Sequence, residues 1–221
     1  MGRLVLIDVA AAAFALLLWY VCLAAYNRRR GAAVLEWVQA ACLGKGRVLN
    51  PKWQSNSSLL KASLRLSTRW FEDARLTISL LPRAHPLYWV LSRWHKQEET
   101  LTFEADMGFP PGFHLDVIRH RWSGHTSSSH TGKISRAKTW SVTRPSPVVL
   151  TTKEDWPPEL TPVVKALTSW RDKEFLCVRF NQTSPHFTAT VPLGTLSDQS
   201  SAAGLLGLFR ELAASSSAKQ H

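Results

Sequence analysis

The sequence is poor in cysteine, glycine and charge. It has three cysteines and 11 glycines among 221 residues, and 19% of its side chains are charged. So few cysteines exclude a disulfide-stapled scaffold, and so few glycines exclude a collagen-like repeat. A hydrophobic content of 45% excludes a disordered polyelectrolyte, because this much apolar surface can offset the conformational entropy lost on folding.

Motifs of known chemistry are also absent. The segment Gly44-Lys45-Gly46 is too short for a phosphate-binding loop, and neither G-x-S-x-G nor G-x-G-x-x-G occurs. The zinc patterns H-E-x-x-H and paired C-x-x-C are missing too. The sequence therefore predicts no specific reaction, no cofactor and no metal site.

One long apolar run lies at the N-terminus. Residues 4–26 form a stretch of 23 residues in which Asp8 is the only charge. As a helix this stretch is about 34 Å long, enough to cross a hydrocarbon core about 30 Å thick. The alternative is a cleaved signal peptide, but the run is longer than a typical signal-peptide core and no convincing small-x-small cleavage site precedes Arg28. We therefore predict a transmembrane anchor over residues 1–30.

Basic residues flank this run unequally. Arg3 alone precedes it, whereas Arg28, Arg29 and Arg30 follow it. Because loops rich in Lys and Arg remain in the cytoplasm, this asymmetry predicts an external N-terminus and a cytoplasmic C-terminal domain. We interpret the chain as a single-pass protein of a bacterial inner membrane, with the three arginines as the anchor flank.

The rest of the chain is long enough for one domain. Removing the first thirty residues, which hold four basic and one acidic side chain, leaves 23 basic and 15 acidic ones, a net charge of +8. Residues 31–46 have helical apolar spacing and predict a juxtamembrane helix and linker, with the helix either packed on the domain or lying along the membrane surface. Residues 47–214 predict the cytoplasmic domain, and residues 215–221 a disordered tail.

Alternating apolar and polar residues predict strands in the first half of the domain. Residues 60–70 and 74–80 predict an antiparallel hairpin with a polar corner at Glu72 and Asp73. Residues 101–105 predict another strand. Residues 87–94 are apolar, but their secondary structure stays open.

Two further strands are predicted at residues 113–122 and 133–143, and the polar loop between them is predicted to be the tip of a hairpin. Another hairpin is predicted over residues 174–191, between helices at 157–167 and 197–214. The predicted fold class is α+β: a mostly antiparallel sheet with two helices in the C-terminal half, preceded by one N-terminal transmembrane helix.

A basic stretch without an acidic residue surrounds the polar loop. It suits an anionic surface, either the headgroups of the cytoplasmic leaflet or nucleic acid phosphates, and a plain solvated loop is the alternative. The predicted anionic-surface binding residues are Arg119, Arg121, Lys133, Arg136, Lys138 and Arg144.

Two other groups of residues support rival functions. His114, Asp116 and His120 share a strand face if the strand is regular, which would suit a membrane-tethered metal-dependent hydrolase. Lys61, Arg65 and Arg69 form a basic strand face that would suit a nucleic-acid tether. Adjacent carboxylates such as Glu98-Glu99 are expected to face solvent.

The preferred interpretation is a single-pass membrane-anchored protein with a cytoplasmic binding or adaptor domain and no identifiable catalytic activity. Its expected partners are the lipid bilayer and either anionic lipid headgroups or another membrane protein.

Overall fold

The structure is a computed structural model that describes residues 2–43, 46–54, 57–67, 70–119, 138–142, 148–152, 160–169 and 175–217. Within these ranges the helices are α1 (Gly2–Cys42), α2 (Pro86–Trp94), α3 (Leu160–Ser169) and α4 (Gln199–Ser217). The strands are β1 (Gly46–Gln54), β2 (Leu59–Leu66), β3 (Phe71–Ser79), β4 (Thr100–Met107), β5 (Leu115–Arg119), β6 (Lys138–Val142), β7 (Val148–Thr152), β8 (Cys177–Phe180) and β9 (Phe187–Pro192).

The described strands form a nine-stranded sheet in the order β1-β2-β3-β4-β9-β8-β5-β7-β6. Every neighbouring pair is antiparallel. The predicted α+β class with a mostly antiparallel sheet and a long N-terminal helix is therefore confirmed.

Strands β2 and β3 form the predicted hairpin. Leu64 is buried and lies opposite Ala74, whereas Arg65 is exposed. The predicted corner was wrong, since Glu72 and Asp73 lie inside β3 at an irregularity in its pairing with β4. A β-bulge tolerates two consecutive outward-facing residues, which a regular alternation does not.

Strands β5 and β6 do not form a hairpin, contrary to the sequence prediction. Strand β7 lies between them and pairs antiparallel with both, so β5 and β6 run parallel to each other. Two parallel strands cannot be joined by a tight turn. Strand β7 is not among the predicted strands: its Val-Val-Leu-Thr-Thr sequence has the β-branched residues of a strand but follows the prolines Pro145 and Pro147.

Helix α4 begins at a reciprocal cap. The Asp198 carboxylate accepts a hydrogen bond of 2.8 Å from the Ser201 backbone N–H, and the Ser201 hydroxyl accepts one of 3.2 Å from the Asp198 N–H. These bonds stabilise the charged carboxylate, so the pKa of Asp198 lies below its usual value.

Aromatic side chains hold α4 on the centre of the sheet. Phe209 of α4 stacks on Phe103 of β4 with ring centroids 4.9 Å apart, and Phe187 of β9 lies 5.6 Å from Phe209. All three rings are fully buried. The other face of the sheet carries mainly polar side chains in β2, β3 and β4.

Helix α1 is one unbroken helix, so the predicted anchor and juxtamembrane helix are continuous. Its last part enters the domain, where Val34, Val38 and Cys42 are buried in the core. Helix α1 lies close to strand β1 at Gly31, where an added Cβ would be 2.5 Å from the Trp53 ring. Glycine is therefore required for α1 to reach β1 at this distance.

Candidate membrane interface

Helix α2 occupies residues whose structure the sequence left open. It starts with Pro86, whose fixed φ suits a first helical turn and whose missing N–H has no partner to lose there. The helix ends near Trp94, and the His95 N–H still donates to the Leu91 carbonyl at 2.9 Å. The segment therefore has the local features of a short, well-terminated helix.

Aromatic contacts place α2 beside the apolar part of α1. Trp19 and Trp89 meet edge to face with ring centroids 5.9 Å apart, as do Tyr20 and His85. The Trp19 indole N–H also donates to the Arg83 carbonyl oxygen at 3.2 Å. The two helices thus meet within residues 4–26, inside the apolar run.

A buried carboxylate joins α1 to the domain. Glu99, whose side chain is 7% exposed, lies 2.9 Å from a guanidinium nitrogen of Arg30 on α1 and 2.9 Å from one of Arg83. The Leu81 N–H donates to the same carboxylate at 3.4 Å. We call Arg30, Arg83 and Glu99 the junction triad.

Two more residues of α1 support the junction triad. Asn27 is fully buried; its amide donates to the Leu81 carbonyl at 2.9 Å and accepts from Arg83 at 3.3 Å. The Arg83 guanidinium lies 5.0 Å from the Tyr26 ring centroid, within cation–π distance. Every polar group of this network has a partner, so its burial is compatible with a stable junction.

The three arginines of the predicted flank differ in environment. Arg28 and Arg29 are exposed, as expected of side chains that reach the headgroup region. Arg30 is half-buried and paired with Glu99. Arg30 therefore has a structural role in addition to its contribution to the positive flank.

Most of the predicted basic surface lies outside the described residues, namely Arg121, Lys133, Arg136 and Arg144. The backbones of Arg119 and Lys138 are described, and they lie at opposite ends of β7, opposite Val148 and Thr152 respectively. A joint role of the six residues at an anionic surface stays a prediction.

Part of the predicted histidine group is close in space. His114 Nε2 lies 3.6 Å from Asp116 Oδ2, and Asp116 Oδ1 lies 3.4 Å from Arg179 Nε. His120 lies outside the described residues. In the described part of the chain no cluster of three or more His, Cys, Asp or Glu side chains has the arrangement of a metal site. The carboxylate of Asp116 instead has a guanidinium partner.

The basic strand face extends beyond the residues that the sequence singled out. Arg69 lies outside the described residues, but Lys61 and Arg65 are exposed on β2. Strand β1 places Lys52 opposite Lys61 and Arg47 opposite Arg65.

Arg75 of β3, opposite Ser63, adds a fifth basic residue. These five residues, Arg47, Lys52, Lys61, Arg65 and Arg75, are called the basic face below. A depression of about 430 Å³ lies on it, lined by Lys52, Lys61 and Arg75 and also by Glu104, which lies opposite Arg75 in β4.

The burial of Glu99 differs from the sequence prediction. Both Glu98 and Glu99 are expected to face solvent, but only Glu98 is exposed. Leu101, Phe103 and Ala105 of β4 are all buried at odd positions, and Glu99 continues that series one step before the strand. Extending the alternation backward would have placed Glu99 on the buried side.

No protein-family model matches this chain, and a search of the curated proteins finds no similar sequence. In the part of the chain that the structure describes, α1 is the one helix that is long and apolar enough to cross a membrane, by length and composition. No residue of its most apolar 18-residue window is buried.

Proposed function

We propose that this protein is a single-pass, membrane-anchored binding module. In this proposal the apolar part of α1 spans the bilayer, the domain lies at the cytoplasmic face, and the basic face recruits an acidic segment of a partner protein.

The continuity of α1 carries this proposal. The helix runs from the apolar residues 4–26 into the domain, where Val34 and Val38 are buried in the core. The junction triad ties the same helix to the segment around Arg83 and to the start of β4. A binding surface on this domain would therefore be held at a defined orientation to the membrane, which an adaptor needs and a flexible tether does not provide.

The charges of the basic face support an acidic partner. Lys52 opposite Lys61 and Arg47 opposite Arg65 are like-charged cross-strand pairs, which destabilise a sheet. The structure shows no ion pair for any of the five residues within its described ranges. Carboxylates of a partner would neutralise these like charges, so binding would remove a repulsion that destabilises the sheet.

An acidic protein segment fits this face better than a nucleic acid does. Among the described residues of β1, β2 and β3 no aromatic side chain is fully exposed: Phe71 is buried, and Trp53, which lines the depression, is half-buried against Gly31. Single-stranded nucleic acids bind largely by stacking bases on exposed rings. The basic face offers charge without such a platform.

The first experiment tests the anchor and its orientation. A reporter that is active only in the cytoplasm, and in a second fusion one that is active only after export, would be joined to the C-terminal end. We expect activity from the cytoplasmic reporter alone and recovery of the chain in the membrane fraction. Activity of the exported reporter, or release into the soluble fraction, would contradict the proposal.

The second experiment tests the basic face. Full-length protein in nanodiscs of uncharged lipid would be titrated with fluorescent poly-glutamate and, separately, with single-stranded DNA. We expect poly-glutamate binding that weakens with salt and falls about tenfold or more in K52E/K61E, since two charges of the face are reversed. The control K96E changes an exposed lysine outside the sheet and should bind as wild type does. Preferential binding of DNA would favour the nucleic-acid tether, and equal binding by all variants would exclude the face as the partner surface.

A further inference from the structure

We infer that α2 is a second membrane-contacting element, lying in the plane of the bilayer at the boundary between headgroups and acyl chains of the leaflet that faces the domain. This inference rests on the proposed anchor. It adds a membrane-binding surface within the domain itself, at a site distinct from the basic stretch predicted from the sequence.

The exposed face of α2 is an apolar stripe. Leu87, Val90, Leu91 and Trp94 follow the spacing i, i+3, i+4, i+7 and are 84%, 55%, 50% and 81% exposed. Such spacing places all four on one side of a helix, within an arc of about 100°. Ser92, which points to the opposite side, is buried. The helix therefore presents its apolar side outward and its small polar residue to the protein.

This arrangement is the reverse of a helix on the surface of a soluble protein, where the apolar stripe packs on the core and the polar side faces water. Exposed contiguous apolar patches mark sites that another apolar phase or partner covers. The helix contains no acidic residue, and Arg93, His95 and Lys96 lie exposed around its C-terminal end, ahead of the exposed Glu98. Basic ends suit the anionic headgroups of a cytoplasmic leaflet.

The position of α2 along α1 identifies the bilayer as the covering phase. Trp19, which contacts Trp89, lies seven residues before Tyr26 at the end of the apolar run. Seven helical residues correspond to a depth of about 10 Å inside that run. Interfacial amphipathic helices lie about 5–10 Å into the boundary between headgroups and acyl chains. The stripe is thus next to the part of α1 that lipid would surround.

Aromatic residues of both helices agree with this depth. Four aromatic residues lie where the two helices meet or where α2 begins or ends: Trp19 and Tyr20 of α1, and Tyr88 and Trp94 of α2. Trp and Tyr are enriched at membrane interfaces because their rings are apolar and their N–H or O–H groups still form hydrogen bonds. A second copy of the chain could cover the stripe instead, but it would have to displace lipid from the exposed sides of α1 as well.

The test measures membrane depth at single residues of the full chain. Nitroxide labels would be attached to cysteines introduced at Leu87 and Trp94, at Glu211, an exposed residue of α4, as an aqueous control, and at Leu16 as a control within the span. Cys22, which is exposed, would be replaced by Ala, while Cys42 and Cys177 are buried and stay unlabelled. Each protein would be reconstituted in vesicles containing anionic lipid, and collisions of the label with oxygen and with a water-soluble nickel chelate would be measured.

We expect the oxygen-to-nickel ratio at 87 and 94 to lie between the ratios at 16 and 211, and to exceed that at 211 on the order of tenfold. A lipid-like label at 16 with water-exposed labels at both 87 and 94 would overturn this inference and leave the anchor proposal standing. Water exposure at all four positions would overturn both. Labels at 87 and 94 that neither reagent reaches would show that protein covers the stripe, which also overturns the inference.

Discussion

Glu99 is a single carboxylate shared by two guanidinium groups, one on α1 and one in the segment before α2. Removing one member of a buried ion pair is costly because the remaining charge stays in a poorly solvated place. In this network the cost falls on Arg83 more than on Arg30, since the Arg30 side chain is 36% exposed and can turn to water.

We therefore expect E99Q to destabilise the full-length protein by about 2–3 kcal/mol, at or below the lower end of the range for fully buried pairs. The free energy would be measured from thermal or urea unfolding in detergent. E98Q is the matched control, because Glu98 is the exposed neighbour, and it should change stability by less than about 0.5 kcal/mol. Equal effects of the two substitutions would show that the triad contributes nothing specific.

Cys177 gives a prediction about alkaline pH. Burial raises the pKa of its thiol to about 11, although Arg179 acts in the opposite direction. An unfolded cysteine titrates near 8.5, so the folded state holds this proton to higher pH than the unfolded state does. The resulting stability is complete below about pH 8.5 and is lost as the pH rises toward about 11.

Between these two pH values the wild type should lose more stability than C177A, by on the order of 1 kcal/mol per unit of pKa difference. The midpoint of thermal unfolding would be followed in buffers across this range. C22A, which removes an exposed cysteine, should follow the wild type. Parallel curves for the wild type and C177A would contradict a raised pKa at this site.

At the scale of elements, two glycines in helices have opposite surroundings. Gly31 faces the Trp53 ring, with only 2.5 Å available for a Cβ, whereas nothing lies within 4 Å of a Cβ at Gly207 in α4. Alanine is the better helix former at both positions by about 1 kcal/mol. Packing therefore decides whether a change from glycine to alanine stabilises or destabilises the protein at Gly31, and helix propensity decides it at Gly207.

We expect G207A to stabilise the protein by about 0.5–1 kcal/mol and G31A to destabilise it by about 1–2 kcal/mol, since overpacking outweighs the gain in propensity. Unfolding in detergent would measure both. Stabilisation by G31A would show that α1 and β1 can separate without cost.

Local patterns predicted the elements better than their arrangement. The alternation of apolar and polar residues identified β2, β3 and β4 because one face of each strand is buried and the other faces solvent. The position of β7 between β5 and β6 depends on pairing between distant segments, which no local pattern contains. Helix α2 was missed because its stripe spans only two turns, too short for periodicity alone to separate helix from strand.

The candidate site, too, was predictable only where a local pattern in the sequence pointed to it. The charge asymmetry around residues 4–26 drew attention to Arg28, Arg29 and Arg30, and Arg30 is a member of the junction triad. The partner of Arg30 lies 69 residues away at Glu99, and the contact of Trp19 with Trp89 is as remote in sequence. Such pairs are visible only once the chain has folded.

At the scale of the whole molecule, α1 contacts the domain on both sides of residue 30, and both sets of contacts depend on the rotational register of the helix. Asn27 and Arg30 reach the junction triad network, and Val34 and Val38 reach the core, from the same continuous helix. One inserted residue turns the helix by about 100° and moves it by about 1.5 Å. The two sets of contacts cannot then be satisfied together.

Insertion of one alanine between Arg30 and Gly31 should therefore lower the thermal midpoint at least as much as E99Q does. Insertion between Leu6 and Ile7 is the control, because it lies N-terminal to Trp19 and shifts no contact with the domain. It should leave the midpoint unchanged. Similar midpoints for the two insertions would mean that α1 is not coupled to the domain through a fixed register.

Because α1 is one unbroken helix, a tilt of its apolar part also tilts the part that lies in the domain. The helix has 41 residues, a rod about 60 Å long, and no joint separates its apolar half from the half embedded in the core. A helix that spans a bilayer tilts to match its hydrophobic length to the thickness of the membrane. In a membrane-embedded protein any such tilt passes directly to the sheet, so the direction in which the basic face points would vary with bilayer thickness.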